Sequence, residues 1–189
     1  ISTLYAWLRL GKPDFSLSVN GCLAGLVAIT APCAFVSPAA SVLIGSIAGV
    51  LVVEAVLLFD RLRVDDPVGA TSVHLVNGVF GTLCVGIFGI KGLSGLPNDG
   101  LLHGGGFAQL WIQMKGVAAV GAFTFAVSFA VWHVLRLTMG VRVKAEDEIA
   151  GLDQAEIGME AYPEAGEIEA QGRDEHREAE RLVAATSKA

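Results

Sequence analysis

The residue of this chain best placed to do chemistry is His74, in the middle of a run from Pro67 to Ile90 that contains no Lys, Arg, Asp or Glu. An imidazole turned to lipid there would leave its ring nitrogens unpaired, at a cost of several kcal/mol. His74 must therefore face protein or a water-lined path. Two roles follow from position alone. It can make a hydrogen bond between helices, worth about 1 kcal/mol, or it can handle a proton or line a conduction path. A reference pKa of about 6.5, with one nitrogen able to donate and the other to accept, suits the second role. Glu54 is the other ionisable group inside an apolar stretch. It could relay protons, but Asp60 lies only about 9 Å further along a helix and Glu54 can reach the same interface. His133, one turn before Arg136, reads as an interfacial residue.

Other chemistries lack their parts. No nucleophile and base, paired metal ligands or Gly-rich nucleotide motif can be assembled from these residues, so the sequence does not read as an enzyme and implies no metal or cofactor. The loop Leu101-Leu102-His103-Gly104-Gly105-Gly106 has no following Lys-Ser/Thr and reads as a flexible connector. Cys22, Cys33 and Cys84 lie inside apolar stretches without disulfide or zinc spacing and read as small buried residues. Asp65 and Asp66, just before Pro67, have the composition of a helix cap: carboxylates for the free N–H groups and a proline at the first helical position.

The elements that carry these residues are membrane spans. Of 189 residues 53% are hydrophobic and only 17% charged, and the mean hydropathy is +0.58. A soluble domain carries roughly 25% charge. Residues 1–141 hold seven basic and six acidic side chains, whereas residues 142–189 hold six and thirteen. The first region is a transmembrane helical region, the second an acidic tail. With no basic face, nucleic-acid binding is disfavoured. The uncharged run from Phe15 to Val53 exceeds one crossing and is broken by Pro32 and Ser37-Pro38. Spans are expected at about 16–33, 38–59, 67–90 and 109–139. Ile1 to Leu8 is too short to cross and reads as the end of a helix that begins outside this chain.

If the spans alternate, Arg9, Lys12, Arg61, Arg63, Arg136, Arg142 and Lys144 share one side, and only Lys91 and Lys115 lie on the other. The more basic side is cytoplasmic. This expectation describes a multi-pass protein of the plasma or inner membrane, in contact with lipid, with a cytoplasmic tail. Trp7, Trp111 and Trp132 fall near span ends as interface anchors. Glycine pairs at 21 and 25, 45 and 49, and 78 and 81 are spaced for close helix contact.

Three stretches together resemble the ammonium transporters. They are Gly11-Lys12-Pro13-Asp14 with Asn20-Gly21-Cys22 through Ala31-Pro32-Cys33; Asp65-Asp66-Pro67-Val68-Gly69-Ala70 leading to Ser72-Val73-His74; and Gly140-Val141-Arg142-Val143 leading to Glu146, Glu148, Gly151-Leu152-Asp153, Glu156, Gly158 and Glu160-Ala161-Tyr162. The resemblance covers about residues 1–163 and corresponds to that family's C-terminal part, from the end of helix seven through helices eight to eleven and the tail. It implies an all-α, polytopic helical bundle of eleven spans in two inverted halves, a homotrimer with one pore per protomer, and ammonium or ammonia as cargo. His74 then matches the second histidine of a pore-lining pair, and Ala70, one turn earlier, a pore-lining position. The first histidine and the outer recruitment site correspond to the half this fragment lacks. Leu75 and Ile157 depart from residues common in the family, Gly and His respectively.

The resemblance further implies that ammonium is deprotonated before passage, because an ion is costly in an apolar tube and ammonia is not. It also implies a regulatory role for the tail, carried by Gly151, Leu152, Asp153, Glu156, Gly158 and Tyr162, toward a PII-type signal protein. Ile149, Leu152, Ile157 and Met159 among acids suit a short segment that docks on the cytoplasmic face. The competing expectation is a non-conducting sensor or assembly subunit that binds a cytoplasmic signal protein. No function is read from Pro163 to Ala189.

Overall fold

A computed structural model of the chain describes residues 1–159, which are helices and turns with no strand among them. The described residues fall into two units, Ile1–Phe129 and the stretch from Ala130 to Met159. Helix α1 (Ser2–Leu10) ends on Gly11, whose φ of 79° suits glycine and whose N–H donates to the Trp7 carbonyl at 2.9 Å. Helix α2 (Phe15–Thr30) starts on Asp14, whose carboxylate accepts from Leu17 N–H at 2.8 Å. It stops at Thr30, short of the expected Cys33. Pro32 lacks the N–H that the Ala28 carbonyl would need four residues on, and the chain turns instead through residues 31–36.

Helix α3 (Pro38–Leu62) is capped by the Ser37 hydroxyl, which accepts from Ala40 N–H at 3.3 Å, with proline at its first position. It runs past the expected Phe59 until Arg63, at φ 57°, closes it by donating its N–H to the Asp60 carbonyl. The next span was expected from Pro67. Here Asp66 to Gly69 instead form a turn, with Gly69 N–H on the Asp66 carbonyl at 3.0 Å, and the helix begins with a π turn at Thr71–Val76. Gly69 has φ 74° and sits against the Asn20 amide, so a side chain would meet both strain and contact. Helix α4 (Asn77–Phe88) continues the span, followed by α5 (Lys91–Ser94), a 3-10 turn (Leu101–His103) and α6 (Ala108–Thr138). In the second unit, after the end of α6, come α7 (Ala145–Ala150) and a π turn at Asp153–Ile157.

Pro38–Leu62, Thr71–Phe88 and Ala108–Thr138 are long and apolar enough to cross a membrane; α2 is equally apolar but shorter. Two buried clusters join the helices of the first unit. Ala6, Leu17, Ala24, Val52, Val53 and Val73 tie α1, α2 and α3 to the π turn. Ala28, Val36, Ile44, Ala48 and Cys84 tie α2 and α3 to α4. In each spaced glycine pair one member makes the close approach: Gly21 and Gly49 face Ser2 from two helices, and Gly81 lies on the Ala28 carbonyl. That carbonyl is the one Pro32 leaves without its helical partner. Gly86 likewise lets α4 meet the Leu110 backbone at the start of α6.

Two expectations are corrected. The loop after α4 is a bonded structure and not a flexible connector: Lys91 N–H donates to Asp99 Oδ1 at 2.8 Å, Gly100 N–H to the Gly89 carbonyl at 2.7 Å, and Gly105 packs on the Asp99 carbonyl. Three turn glycines and one carboxylate made this closure, which composition alone does not reveal. Among the cysteines only Cys84 is buried; Cys22 and Cys33 are exposed, on helix and turn faces that no described element covers. A Gly81→Ala substitution drives a methyl group into the Ala28 carbonyl. It should lower stability by about 1–3 kcal/mol, read as a lower thermal midpoint in detergent, while Gly25→Ala, inside α2 with open space around it, should leave the midpoint unchanged or raise it slightly, by up to about 1 kcal/mol of helix propensity.

Candidate functional site

The segment around His74 is built outward from Asp66. One carboxylate oxygen accepts from Thr71 N–H at 3.0 Å, and the other accepts from the N–H and hydroxyl of Ser72, both at 3.1 Å. These donors belong to the first turn of the span, whose N–H groups have no helical acceptor. Burial pushes the Asp66 carboxyl up, but bonds from Thr71, Ser72 and the Ala70 N–H outweigh it and hold it below its ordinary value. Asp65, exposed beside it, makes no hydrogen bond among the described residues. The Asn20 amide donates to the Val68 carbonyl at 3.1 Å and ties the turn to α2.

His74 lies in the π turn and is exposed, as are Ala70 and Leu75; Ser72, Val73 and Asn77 are buried. The turn therefore has two sides. One is packed into the cluster of Val52, Val53 and Ala24, and the other carries the imidazole with a small residue one turn before it. π turns occur disproportionately at functional sites. The imidazole makes no hydrogen bond to the described residues. Asn77 went unremarked in the sequence, and Ser72 entered only as part of the family motif, although an Asn inside an apolar run is a recognisable signal. Its amide donates to the Ser72 carbonyl at 3.0 Å.

Glu54 is not isolated. It accepts from the Tyr5 hydroxyl at 2.6 Å and from Arg9 Nε at 3.2 Å, linking α3 to α1. An open cavity of about 650 Å³ lies between the start of α2, the end of α3 and the turn before the π segment, with Asp14, Asp60, Asp65 and Asp66 on its wall. His74 does not line it. Among the described residues no cluster of His, Cys, Asp and Glu is arranged to hold a metal.

In the second unit Gly151 (φ 101°) follows α7, Leu152 precedes the π turn that holds Asp153 and Glu156, and Gly158 (φ 69°) ends it. Ile149, Leu152, Ile157 and Met159 are exposed. Tyr162 lies outside the described residues.

Residues 1–162 match the Ammonium Transporter Family. The chain belongs to the ammonium transporters. It is 42% identical over 162 residues to ammonium transporter Amt2 of Archaeoglobus fulgidus, a match covering 83% of this chain and 34% of that one. It superposes on a solved Sensor Amt Protein with a TM-score of 0.71 at 34% identity, covering 82% of this chain and 37% of the other. It superposes on Mep2 of Saccharomyces cerevisiae with a TM-score of 0.67 at 26% identity, covering 76% and 34%. The chain thus spans about a third of the length of these ammonium transporters. Family and apolar helices together make this a multi-pass integral membrane protein with an all-helical ammonium-transporter fold.

Asp66→Ala should cost about 1 kcal/mol, the scale of a lost helix cap. Because the folded carboxyl sits below its ordinary value, the charged form stabilises the fold above the ordinary carboxylate range. That contribution is lost as pH falls through the folded value. Thermal midpoints of wild type and Asp66→Ala should therefore differ at neutral pH and converge below about pH 4.

Proposed function

We propose that this protein moves ammonium across a membrane and that this chain supplies one wall of the path, with His74 and Ala70 lining it. The supporting observation is an imidazole exposed from an apolar span, beside a small residue, on a turn whose other side is packed. Lipid is a poor neighbour for that group, so its open face suits a narrow path shared with another wall. The ammonium ion gives up its proton to water before the apolar section. The neutral ammonia passes along hydrogen bonds to His74 and to a second histidine that the family resemblance assigns to a stretch outside this chain.

The same resemblance supports a homotrimer with one path per protomer, a cytoplasmic tail, and a PII-type protein that contacts residues Gly151 to Tyr162. Exposed Ile149, Leu152 and Ile157 offer that contact an apolar surface. Asp66 serves the path indirectly, through the turn that it caps, whereas Asp65, expected beside it as part of the cap, takes no part in those bonds.

In cells lacking other ammonium uptake, His74→Ala in the complete gene product should cut methylammonium uptake per transporter by about tenfold or more, or change its selectivity. Normal selective uptake at normal membrane abundance would remove His74 from the path. Deleting the residues after Val141 should abolish co-purification of a PII-type protein while membrane insertion persists; retained binding would place that partner elsewhere.

A further inference from the structure

We infer that Asn77 is a positioning residue for His74, holding the imidazole on the path through the carbonyl of Ser72. The inference rests on the reading of His74 as a path residue and adds a part that reading does not contain.

Asn77 is completely buried, as is Ser72. Every polar group of Ser72 is engaged: its N–H and hydroxyl go to Asp66, and its carbonyl accepts from Asn77 Nδ2 at 3.0 Å. In a regular α-helix that carbonyl would take the N–H of Val76, four residues on. Within the π turn the ladder is displaced by one residue, and the side chain of Asn77, five residues on, supplies a donor. The main-chain N–H of Asn77 donates to the carbonyl of His74 itself. One residue therefore bonds both the start of the turn and the residue that carries the imidazole.

The orientation of the amide is determined by its partner. A carbonyl only accepts, so the NH₂ group must face Ser72. Oδ1 then points away and has no partner among the described residues. An apolar side chain of the same shape would remove the unpaired Oδ1 but would also take the donor from the buried Ser72 carbonyl. What Asn77 alone provides is the donor to the His74 turn.

Both ends of the turn are otherwise anchored. Asp66 holds its start, and α4 beyond it is locked by Gly81 on the Ala28 carbonyl and Gly86 on the Leu110 backbone. Without the amide, the Ser72 carbonyl loses its side-chain donor, and a return of the turn to α-helical register, where it takes the Val76 N–H, would replace it. That change rotates the side chains of the turn relative to α4 by up to about 100°. Small displacements of a positioned group cost up to about a hundredfold in rate, so His74 would leave the path while the bundle stays packed.

The test compares uptake per transporter, membrane abundance and thermal midpoint for the complete gene product carrying Asn77→Leu, Asn77→Gln, His74→Ala or His74→Ala with Asn77→Leu. Leucine keeps the branched shape, though not the smaller volume, and removes the donor; glutamine keeps an amide. The expected result is full abundance for Asn77→Leu with uptake down about tenfold, recovery by Asn77→Gln to within about threefold of wild type, and a double variant no worse than His74→Ala. A purely structural role would lower abundance and midpoint and leave uptake per transporter unchanged. Normal uptake by Asn77→Leu, equal loss in the leucine and glutamine variants, or a double variant clearly below His74→Ala would overturn the inference. Should Asn77→Leu fail to accumulate, Asn77→Ala is read against the same outcomes. Impaired His74→Ala with normal Asn77→Leu defeats the positioning role alone; normal His74→Ala defeats the path reading and this inference together.

Discussion

The span that carries His74 depends on the carboxylate of Asp66. Hydrocarbon offers no partner to the free N–H groups at the start of a helix, and water reaches them only at its edge. Asp66 supplies acceptors for three donors of Thr71 and Ser72, and a turn closed by Gly69 brings it there. With that end secured, the chain can enter the membrane through a π turn without a loose backbone. The exposed His74 and the buried Ser72 and Asn77 fall on opposite sides of this one turn.

The rest of the first unit positions that turn by close backbone contact. Pro32 ends α2 and leaves the Ala28 carbonyl without a helical N–H; Gly81 of α4 lies directly on that carbonyl. A residue read as a helix breaker thus also prepares the surface on which the next span packs. Ser2 between Gly21 and Gly49, and Gly86 on Leu110, repeat the pattern with other helices. Lipid tails are as apolar as the side chains, so helices in a membrane gain from close fit more than from leaving water. Small residues at these contacts are consistent with that.

Several features were legible because their causes are local. Uncharged runs marked the helices, Ser37-Pro38 marked the start of one of them, and the Asp-Asp-Pro to Val-His stretch marked the family. Other features depended on neighbours. The late start of the third span follows from the turn at Gly69, and the extension of α3 to Leu62 from the left-handed Arg63. Glu54 looked solitary until α1 placed Tyr5 and Arg9 on it. Glycine spacing named three pairs, yet only one glycine in each makes the contact, because spacing does not say which helix arrives or from which side.

The sequence by itself determined that this chain is helical, apolar enough for a membrane and a member of the ammonium transporters, since hydropathy, caps and motifs are properties of residues close together in the chain. Only the tertiary structure decided which side of the third span is packed and which is open, that a π turn lies at His74, and that Asn77 faces the carbonyl of Ser72. Those outcomes depend on where α2, α3 and α6 meet α4. The contact of Gly81 with Ala28 joins residues on two different helices, and no local pattern encodes the direction from which a distant helix approaches.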